Sequence, residues 1–268
     1  MGQLDGKISI VTGGGGEIGA AIAKGLARAG SKIAACDINA EAAEVVAADI
    51  RAGGGEAIAC QHDVTSEASW CDASAEIERR LGSLDVLVNC AGLFASDSYT
   101  IADLPLEEWR KLHAVNLDGT FLGIKVAVKA MGSRNGSIIN IGSVVGAFGA
   151  RSGPAYGTSK GAVRALTVQA AASCIATGSN VRINAIHPGY VLTEASLGSA
   201  LKRFGSRERA EQAFATRSPR NRLLHPEDLV GAAVFLASDA SKMMNGAEIL
   251  VDDGLSTQMP GDSFGPES

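Results

Sequence analysis

The sequence predicts an α/β protein built on a doubly wound parallel sheet of about seven strands, with helices on both faces. Short apolar runs of strand length alternate with longer amphipathic segments through most of the 268 residues. The first run leads into a glycine-rich turn and then a helical segment, the order in which such sheets bind nucleotides. No stretch has the composition of an interdomain linker. We therefore expect a single domain over residues 1–268.

The first half of the chain is predicted to consist of strand–helix pairs. The strand segments are short and rich in Ile, Val and Ala, whereas the helix segments carry apolar residues three and four apart. The predicted strands are Lys7–Val11, Lys32–Cys36, Glu56–Gln61 and Leu84–Asn89. The predicted helices are Ile18–Ala29, Ala40–Arg51 and Glu67–Leu81.

The second half continues the alternation with longer helices. The predicted helices are Leu106–Met131, Ala155–Thr177 and Pro226–Ala237, and the strands are Ser137–Ile141, Val181–Ile186 and Glu248–Val251. An arginine-rich, helix-prone insertion, Glu194–Arg222, breaks the pattern after the sixth strand. Because open α/β sheets bind ligands beyond the carboxyl ends of their strands, we expect residues 194–222 to contribute to substrate binding. The tail Gln258–Ser268 is expected to be irregular.

Composition excludes several classes of protein. The net charge is −5 with both signs mixed, which argues against non-specific binding to nucleic acid or an anionic membrane. No apolar run is long enough to span a bilayer, and the N-terminus lacks a signal-peptide layout. The five cysteines are scattered without a C-x-x-C pair, which favours buried, reduced thiols over a zinc site. We expect a cytoplasmic protein without a metal.

The glycine-rich turn is a candidate dinucleotide site. It reads Thr12-Gly-Gly-Gly-Gly-Glu-Ile-Gly19, and Gly14-x-Gly16-x-x-Gly19 has the spacing of the Rossmann-fold fingerprint. Glycines let the backbone approach a pyrophosphate, and the start of the helix offers free N–H groups and the positive end of its dipole. A phosphate-binding P-loop is excluded because no Gly-Lys-Ser/Thr follows.

Asp37 predicts the choice of cofactor. It ends the second strand, where a carboxylate can accept hydrogen bonds from the ribose hydroxyls of adenosine and would repel a 2′-phosphate. No Arg or Lys lies in the glycine turn or directly after Asp37. The sequence therefore favours NAD over NADP, although Asp37 could instead serve only to cap the next helix near Asn39.

Tyr156 and Lys160 are the candidate acid–base pair. Residues four apart share one face of a helix. A phenol titrates near ~10, so a tyrosine that acts as a base near neutrality needs its pKa lowered by roughly 3 units. An ammonium about 4 Å away can supply that effect. Tyr-x-x-x-Lys is common by chance, but Ser143 lies thirteen residues upstream and offers a second hydroxyl.

Several motifs together resemble the short-chain dehydrogenase/reductase family, in its compact single-domain branch. The resemblance covers residues 4 to about 257. The motifs, in chain order, are Thr12-Gly13 to Ile18-Gly19, Asn89-x-Ala91-Gly92, Asn116, Ser143, Tyr156-x-x-x-Lys160 and Pro188-Gly189.

The resemblance implies four catalytic residues. Tyr156 would exchange the proton with the substrate oxygen. Lys160 would lower the pKa of that phenol and bind the nicotinamide ribose. Ser143 would hold the substrate oxygen. Asn116 would anchor a water that links Lys160 to solvent, although it could instead only satisfy buried helix backbone.

The resemblance also implies a set of cofactor-binding residues. They would surround the pyrophosphate, the adenosine and the nicotinamide in turn, with Tyr156 and Lys160 shared with catalysis. Asp63 could instead only cap a turn, and Asn89 and Thr193 could equally be structural. The set is Gly13, Gly16, Glu17, Ile18, Gly19, Asp37, Ile38, Asp63, Val64, Asn89, Ala91, Gly92, Tyr156, Lys160, Pro188, Gly189, Val191 and Thr193.

Two residues depart from the family pattern. Glu17 stands where the family most often has glycine, and its carboxylate would repel a pyrophosphate unless it points to solvent. Cys90 replaces a common asparagine and is compatible with packing. The expected effect of Glu17 is on cofactor affinity and not on the type of reaction.

The resulting expectation is an NAD-dependent dehydrogenase that moves a hydride between the cofactor and a secondary alcohol or ketone. Apolar residues near the strand ends predict an apolar pocket, and a faint similarity to bacterial hydroxysteroid dehydrogenases implies a bulky or cyclic substrate. The alternatives are a 3-oxoacyl-carrier-protein reductase and a catalytically silent nucleotide-sensing protein. The resemblance implies a homotetramer, with a dimer as the alternative. The candidate pocket residues are Leu93, Phe94, Val144, Val145, Phe148, Tyr190, Leu192 and Leu197.

Overall fold

The computed structural model describes residues 2–94, 99–148 and 153–257 of the chain. The predicted tail at 258–268 lies outside the described residues. Seven parallel strands form one sheet in the order β3-β2-β1-β4-β5-β6-β7. The doubly wound parallel sheet predicted from the sequence is confirmed.

The first half follows the predicted alternation closely. Its strands are β1 (Ile8–Thr12), β2 (Lys32–Asp37), β3 (Ala57–Gln61) and β4 (Val86–Asn89). Its helices are α1 (Glu17–Arg28), α2 (Ala40–Ala52) and α3 (Glu67–Arg80). The side chains of Asn39 and Ser66 cap α2 and α3 by accepting from the amides of Ala42 and Ser69, which fixes where these helices begin.

The second half contains the longer helices. In chain order they are α4 (Leu106–His113), α5 (Gly119–Met131), the short α6 (Val145–Phe148), α7 (Pro154–Ala176), α8 (Glu194–Phe204), α9 (Arg207–Ala215) and α10 (Val230–Ala237). The remaining strands are β5 (Gly136–Ile141), β6 (Val181–Pro188) and β7 (Glu248–Val251). A 3₁₀ turn, Pro226–Leu229, leads into α10, and two more cover Asp239–Ser241 and Leu255–Thr257.

The predicted helix Leu106–Met131 is not a regular α-helix throughout. A π-helical turn, Ala114–Asp118, separates α4 from α5. Such turns insert an extra residue into the helix and are frequent at functional sites. The departure is local and brings Asn116 into a fully buried position.

Two apolar clusters cover the two faces of the sheet. One contains Trp70, Ile77 and Met131 from the side of α3, α5 and α7, and the other contains Ile22 and Leu26 from the side of α1, α2 and α10. Every residue of β1 and β4 is buried, as expected for central parallel strands covered on both faces. Because both faces of the sheet are covered, a ligand site is expected at the carboxyl ends of the strands.

Candidate active site

The candidate residues converge where the strand order reverses. β1 lies beside β4 in the sheet, and the loops after these two strands leave in opposite directions. This crevice is the usual ligand site of doubly wound sheets. The glycine turn follows β1, Asn89 ends β4, Ser143 follows β5, and Pro188 ends β6.

The glycine turn is packed backbone against backbone. Gly13 has a φ of 63°, and a Cβ added there would lie 2.8 Å from the Cα of Ala91. A Cβ added at Gly19 would lie 2.1 Å from the carbonyl oxygen of Gly13. Gly16 is the N-cap residue of α1 and makes no side-chain capping bond, which leaves N–H groups available to an anion. The turn fits a dinucleotide pyrophosphate.

The carboxylate of Asp37 is fixed at the end of β2. It accepts hydrogen bonds from the amide of Gly15 at 3.0 Å and from the amide of Asn39 at 2.9 Å. The side chain of Asn39 caps α2, so Asp37 does not provide the side-chain cap of this helix, which was the alternative to cofactor binding. Its position joins the glycine turn to the start of α2.

The candidates for the adenosine side lie along β2, β3 and β4. Ile38 is 67% exposed beside Asp37. Asp63 accepts hydrogen bonds from the amide and the hydroxyl of Thr65, which lower the pKa of Asp63. It therefore also closes a local turn, whereas the carbonyl of Val64 accepts from the indole of Trp70 at 3.0 Å.

Asn89 has a structural role between neighbouring strands. Its amide donates to the side-chain oxygen of Asn140 at 2.9 Å, and Asn140 donates to the hydroxyl of Thr167 at 2.9 Å. These buried bonds join β4, β5 and α7 behind the site. On the other side, the hydroxyl of Thr12 accepts from the amides of Cys90 and Ala91.

Asn116 is held by both ends of its amide. Its oxygen accepts from the Leu93 amide at 2.7 Å, while its nitrogen donates to the Leu93 carbonyl at 3.0 Å and to the hydroxyl of Ser159 at 3.0 Å. A Cβ at Gly92 would lie 3.3 Å from the Asn116 oxygen and 3.5 Å from the Lys160 nitrogen. Asn116 and Lys160 therefore border the same small space.

Ser143, Tyr156 and Lys160 are brought together at the end of β5. The side chain of Ser143 lies close enough to the phenol of Tyr156 to lower the pKa of that group. The ammonium of Lys160 donates to the carbonyl of Ile141 at 2.8 Å and lies 5.9 Å from the centre of the Tyr156 ring. Lys160 is buried, with 6% of its surface exposed.

The expected lowering of the tyrosine pKa by lysine is wrong for the chain without cofactor. Burial raises the pKa of Tyr156 to about 12, against an opposing effect of its hydrogen bond to Ser143. Burial also lowers the pKa of Lys160 to about 8. The physical reason is that both groups lose hydration, and the ammonium is directed at the Ile141 carbonyl.

The candidates for the nicotinamide side lie between β6 and α8. The amide of Val144 donates to the carbonyl of Pro188 at 3.1 Å, and the amide of Gly189 donates to the carbonyl of Val251 at 2.9 Å. Val191 forms a parallel bridge with Leu224. Thr193 caps α8 through reciprocal bonds with Ser196, so its side chain has a structural part.

Glu17 does not simply point to solvent. Its two carboxylate oxygens accept from the amide of Glu194 at 3.2 and 2.9 Å. Ile18 follows it in the first turn of α1 and packs against the second apolar cluster. The departure from glycine at position 17 therefore creates a contact between α1 and α8.

Some contacts of the site could not be inferred from side-chain patterns. The carbonyl of Ile141 and the backbone of Leu93 carry no residue-type signal. Phe94 was expected in the pocket, and its ring stacks on Tyr156 with centres 5.0 Å apart.

Cys71 is exposed, contrary to the expectation of buried thiols.

Comparisons with known proteins show what this chain is similar to. A family model described as enoyl-(acyl carrier protein) reductase matches residues 15–256. The chain is 39% identical to an NADP-dependent (R)-specific alcohol dehydrogenase of Lentilactobacillus kefiri, over 96% of this chain and 99% of that protein. It is 37% identical to the 2,5-dichloro-2,5-cyclohexadiene-1,4-diol dehydrogenase LinX of Sphingobium indicum, over 95% and 98% of the two chains.

Two further similarities extend the comparison. The chain is 35% identical to a 3-beta-hydroxysteroid dehydrogenase of Comamonas testosteroni, over 94% of this chain and 97% of that protein. The solved structure of a short-chain type dehydrogenase/reductase from Mycobacterium marinum superposes with a TM-score of 0.84 at 29% identity, covering 95% and 97% of the two chains. Within the described residues, no helix is both long and apolar enough to cross a membrane.

Proposed function

The chain belongs to the short-chain dehydrogenase/reductase family, and from that premise we propose an NAD-dependent dehydrogenase of apolar, cyclic secondary alcohols. The observation that carries the proposal is the cluster of Ser143, Tyr156 and Lys160 at the carboxyl end of β5, with Asn116 beside it. The relatives named above are alcohol dehydrogenases, which supports oxidoreduction of a secondary alcohol. The substrate and the choice of NAD are the parts that we propose.

A bound nicotinamide cofactor would supply the carbon that accepts or returns the hydride. In our proposal, Ser143 donates its hydroxyl hydrogen bond to the substrate oxygen. Tyr156 then gives its proton to a ketone oxygen, or takes the proton of an alcohol. Burial raises the pKa of Tyr156 to about 12, so at neutral pH this phenol carries the proton that reduction of a ketone needs.

Lys160 and Asn116 complete the proposed proton path. Lys160 is an ammonium at neutral pH, since its pKa of about 8 lies above 7. The two side chains border the same space next to Gly92. We propose that this space admits the water through which Lys160 exchanges protons with solvent. Fixing Asn116 to Leu93 would keep that path aligned.

The choice of NAD follows from Asp37. Its carboxylate is held by the amides of Gly15 and Asn39, so it cannot easily turn away from an adenosine ribose bound there. A 2′-phosphate would meet this charge without a neighbouring Arg or Lys in the turn or at positions 38 and 39. The relative from Lentilactobacillus kefiri is NADP-dependent, so the preference is a specific property to be tested in this chain.

The remaining cofactor residues are proposed by position. The glycine turn would hold the pyrophosphate, the strand ends after β2 to β4 the adenosine, and the loop after β6 the nicotinamide. The residues so proposed are Gly13, Gly16, Glu17, Ile18, Gly19, Asp37, Ile38, Asp63, Val64, Asn89, Ala91, Gly92, Tyr156, Lys160, Pro188, Gly189, Val191 and Thr193.

The proposed substrate is apolar and cyclic. The exposed ring of Phe94 lies against the phenol that would reach the substrate oxygen, which favours a flat or ring-shaped apolar molecule. Two of the relatives above act on a cyclohexadiene diol and on a hydroxysteroid, as their names state. The insertion that carries α8 and α9, near residues 194–222, would cover this substrate within the same single domain.

The test is a panel of steroid, cyclic and aliphatic secondary alcohols, with NADH or NADPH formation followed at 340 nm. We expect the highest kcat/KM for a cyclic alcohol with NAD, and at least about tenfold less with NADP, the equivalent of ~1.4 kcal/mol. Equal or better kcat/KM with NADP would contradict the cofactor assignment. Activity confined to polyols would contradict the substrate class.

A second candidate is reduction of a 3-oxoacyl thioester. The observation that favours it is the family model, whose description names an acyl-carrier-protein reductase. Asp37 argues against it if that reaction uses NADPH. An acyl-thioester panel with NADPH and NADH separates the two candidates, because a secondary-alcohol dehydrogenase should show little turnover on the thioester.

We also propose a homotetramer. Large apolar side chains are exposed on the long helices, namely Phe121 at 48%, Val168 at 46% and Ile175 at 66%. At the sheet edge, Leu250 of β7 is 48% exposed. Light scattering on the purified protein should give four times the chain mass, and a monomer would contradict this proposal.

A further inference from the structure

The pair of helices α8 and α9 is packed mainly on itself. Leu197 and Ala200 of α8 and Ala210 of α9 form an apolar cluster of their own, separate from the two clusters on the sheet. The segment leaves the rest of the domain and returns to it at one place, where the amide of Leu192 donates to the carbonyl of Leu224 at 2.7 Å. We call residues 192–224 the hairpin. Because it has its own core, its position depends on a small number of tethers.

One group of tethers holds the end of the hairpin near β7. Asp253 accepts hydrogen bonds from Ser218 and Arg220, and Arg222 lies 3.7 Å from the same carboxylate. Arg217 stacks over the ring of Tyr190, with its guanidinium 4.6 Å from the ring centre. These contacts lie after α9 and do not fix the start of α8.

Glu17 supplies the contact at the start of α8. Its carboxylate oxygens lie 3.2 and 2.9 Å from the amide nitrogen of Glu194, the first residue of that helix. The negative charge lies at the positive end of the α8 dipole, an arrangement that stabilises a helix start. The side chain of Glu194 is turned to Arg207, at 3.0 Å, so the two carboxylates do not share one partner.

The position of Glu17 gives this contact a second consequence. Glu17 is the first residue of α1, directly after the glycine turn. It therefore joins the segment that fits a pyrophosphate to the first helix of the hairpin. A carboxylate at this point attracts the start of α8, but it opposes the binding of an anion at the start of α1.

We propose that Glu17 is a positioning residue that fastens the hairpin to the glycine-rich turn, and so couples substrate binding to the cofactor site. This inference rests on the proposed function for the identity of the two ligands. Glu17 improves substrate binding by holding α8 in place, and it weakens cofactor binding through its charge. The two effects have opposite signs and depend on different properties of the side chain.

Two substitutions separate the effect of the hydrogen-bond acceptor of Glu17 from the effect of its charge. Glu17→Ala removes both the acceptor and the charge, whereas Glu17→Gln removes the charge and keeps an oxygen that can accept from the Glu194 amide. Substrate KM should rise about fivefold in Glu17→Ala, the size of a lost helix cap. It should stay within about twofold of wild type in Glu17→Gln, which keeps an acceptor in the same place.

Cofactor affinity should follow the charge. The Kd of NAD should fall about threefold in both variants, the size of an exposed charge–charge interaction. Glu107→Ala is the matched control, since it removes an exposed carboxylate from the first turn of α4. Substrate KM that is equal in all three variants, or NAD binding weakened in Glu17→Ala, would overturn the proposal.

A measurement without substrate keeps this test distinct from that of the proposed function. Hydrogen exchange of a peptide that covers the start of α8 should be faster in Glu17→Ala than in wild type, and unchanged in Glu107→Ala. If exchange is unaltered in Glu17→Ala, the tether is wrong whatever the enzyme does. If exchange accelerates but no dinucleotide binds, the proposed function fails and the contact stands.

Discussion

The cluster of residues that we propose as catalytic and the hairpin are built in different ways. Asn116 and Lys160 are buried, and apart from the bond of Asn116 to Ser159 their hydrogen bonds go to backbone groups of Leu93 and Ile141. The hairpin is held to the rest of the chain largely by Glu17 and by arginines around Asp253, most of them exposed. Buried bonds to backbone are expensive to break, whereas exposed ion pairs contribute little to stability.

This difference predicts that substitutions in the two regions have different effects on turnover and on substrate binding. The cluster to which we assign the chemistry is fixed by the sheet and by α7, and changes there should alter turnover by large factors. The hairpin is fixed by a few contacts that can be altered without disturbing the sheet. Changes there should alter substrate binding by small factors and leave turnover nearly intact.

The largest effect is expected from Tyr156→Phe. The variant keeps the ring and its stacking on Phe94 but lacks the proton that we assign to catalysis. We expect kcat to fall about a thousandfold, in the range of general acid–base catalysis. NAD affinity, measured by calorimetry, should change little, and unaltered kcat would remove Tyr156 from the mechanism.

Lys160→Met should stabilise the protein while it impairs turnover. Burial lowers the pKa of Lys160 from 10.5 to about 8, so at pH 7 the folded state holds an ammonium that is better hydrated when unfolded. This penalty is fully present below pH 8 and is gone above pH 10.5. Its removal should add up to about 3 kcal/mol at ~1.4 per pKa unit, less the lost bond to Ile141.

Urea unfolding at pH 7 and pH 10 checks this expectation. The stability of wild type should rise with pH through the window between the two pKa values, since the unfolded state binds more protons there. The advantage of Lys160→Met should shrink over the same window. A variant less stable than wild type at pH 7 would contradict the inference that burial of the Lys160 ammonium destabilises the folded state.

The smallest effect is expected from Asp253→Asn in the hairpin tethers. Asp253 has a φ of 56°, a conformation that asparagine also tolerates, so the backbone should be retained. Without the charge, Arg220 and Arg222 lose their partner. Substrate KM should rise about twofold with kcat unchanged, because the arginines of these ion pairs are exposed to solvent. A large loss of kcat would show that the two regions are not separable in this way.

The sequence predicts the seven strands well because their apolar runs are bounded by glycine and polar residues. It does not predict the π-helical turn at 114–118, in which the side chain of Asn116 bonds to the backbone of Leu93, 23 positions away. The motifs bring Ser143, Tyr156 and Lys160 to one place, as the resemblance implies. They do not show that Lys160 is directed at Ile141, because a carbonyl acceptor leaves no trace in residue type.

The role of Glu17 shows the same limit. Its position in the glycine turn is plain from the sequence, and its charge predicts an effect on cofactor affinity. Its partner is the amide of Glu194, 177 positions away, in an insertion whose placement no local pattern specifies. Contacts that depend on backbone groups of distant segments become visible only in the folded chain.

The most direct test of the account is the pH dependence of NADH formation from a cyclic secondary alcohol. Oxidation needs Tyr156 without its proton, and burial raises the pKa of this phenol to about 12 in the free chain. We therefore predict that kcat/KM for oxidation increases steadily from pH 7 to 10, whereas ketone reduction changes little over the same range because Tyr156 keeps its proton. An oxidation rate that is flat or falling with pH would contradict a proton-holding Tyr156 as the acid–base group.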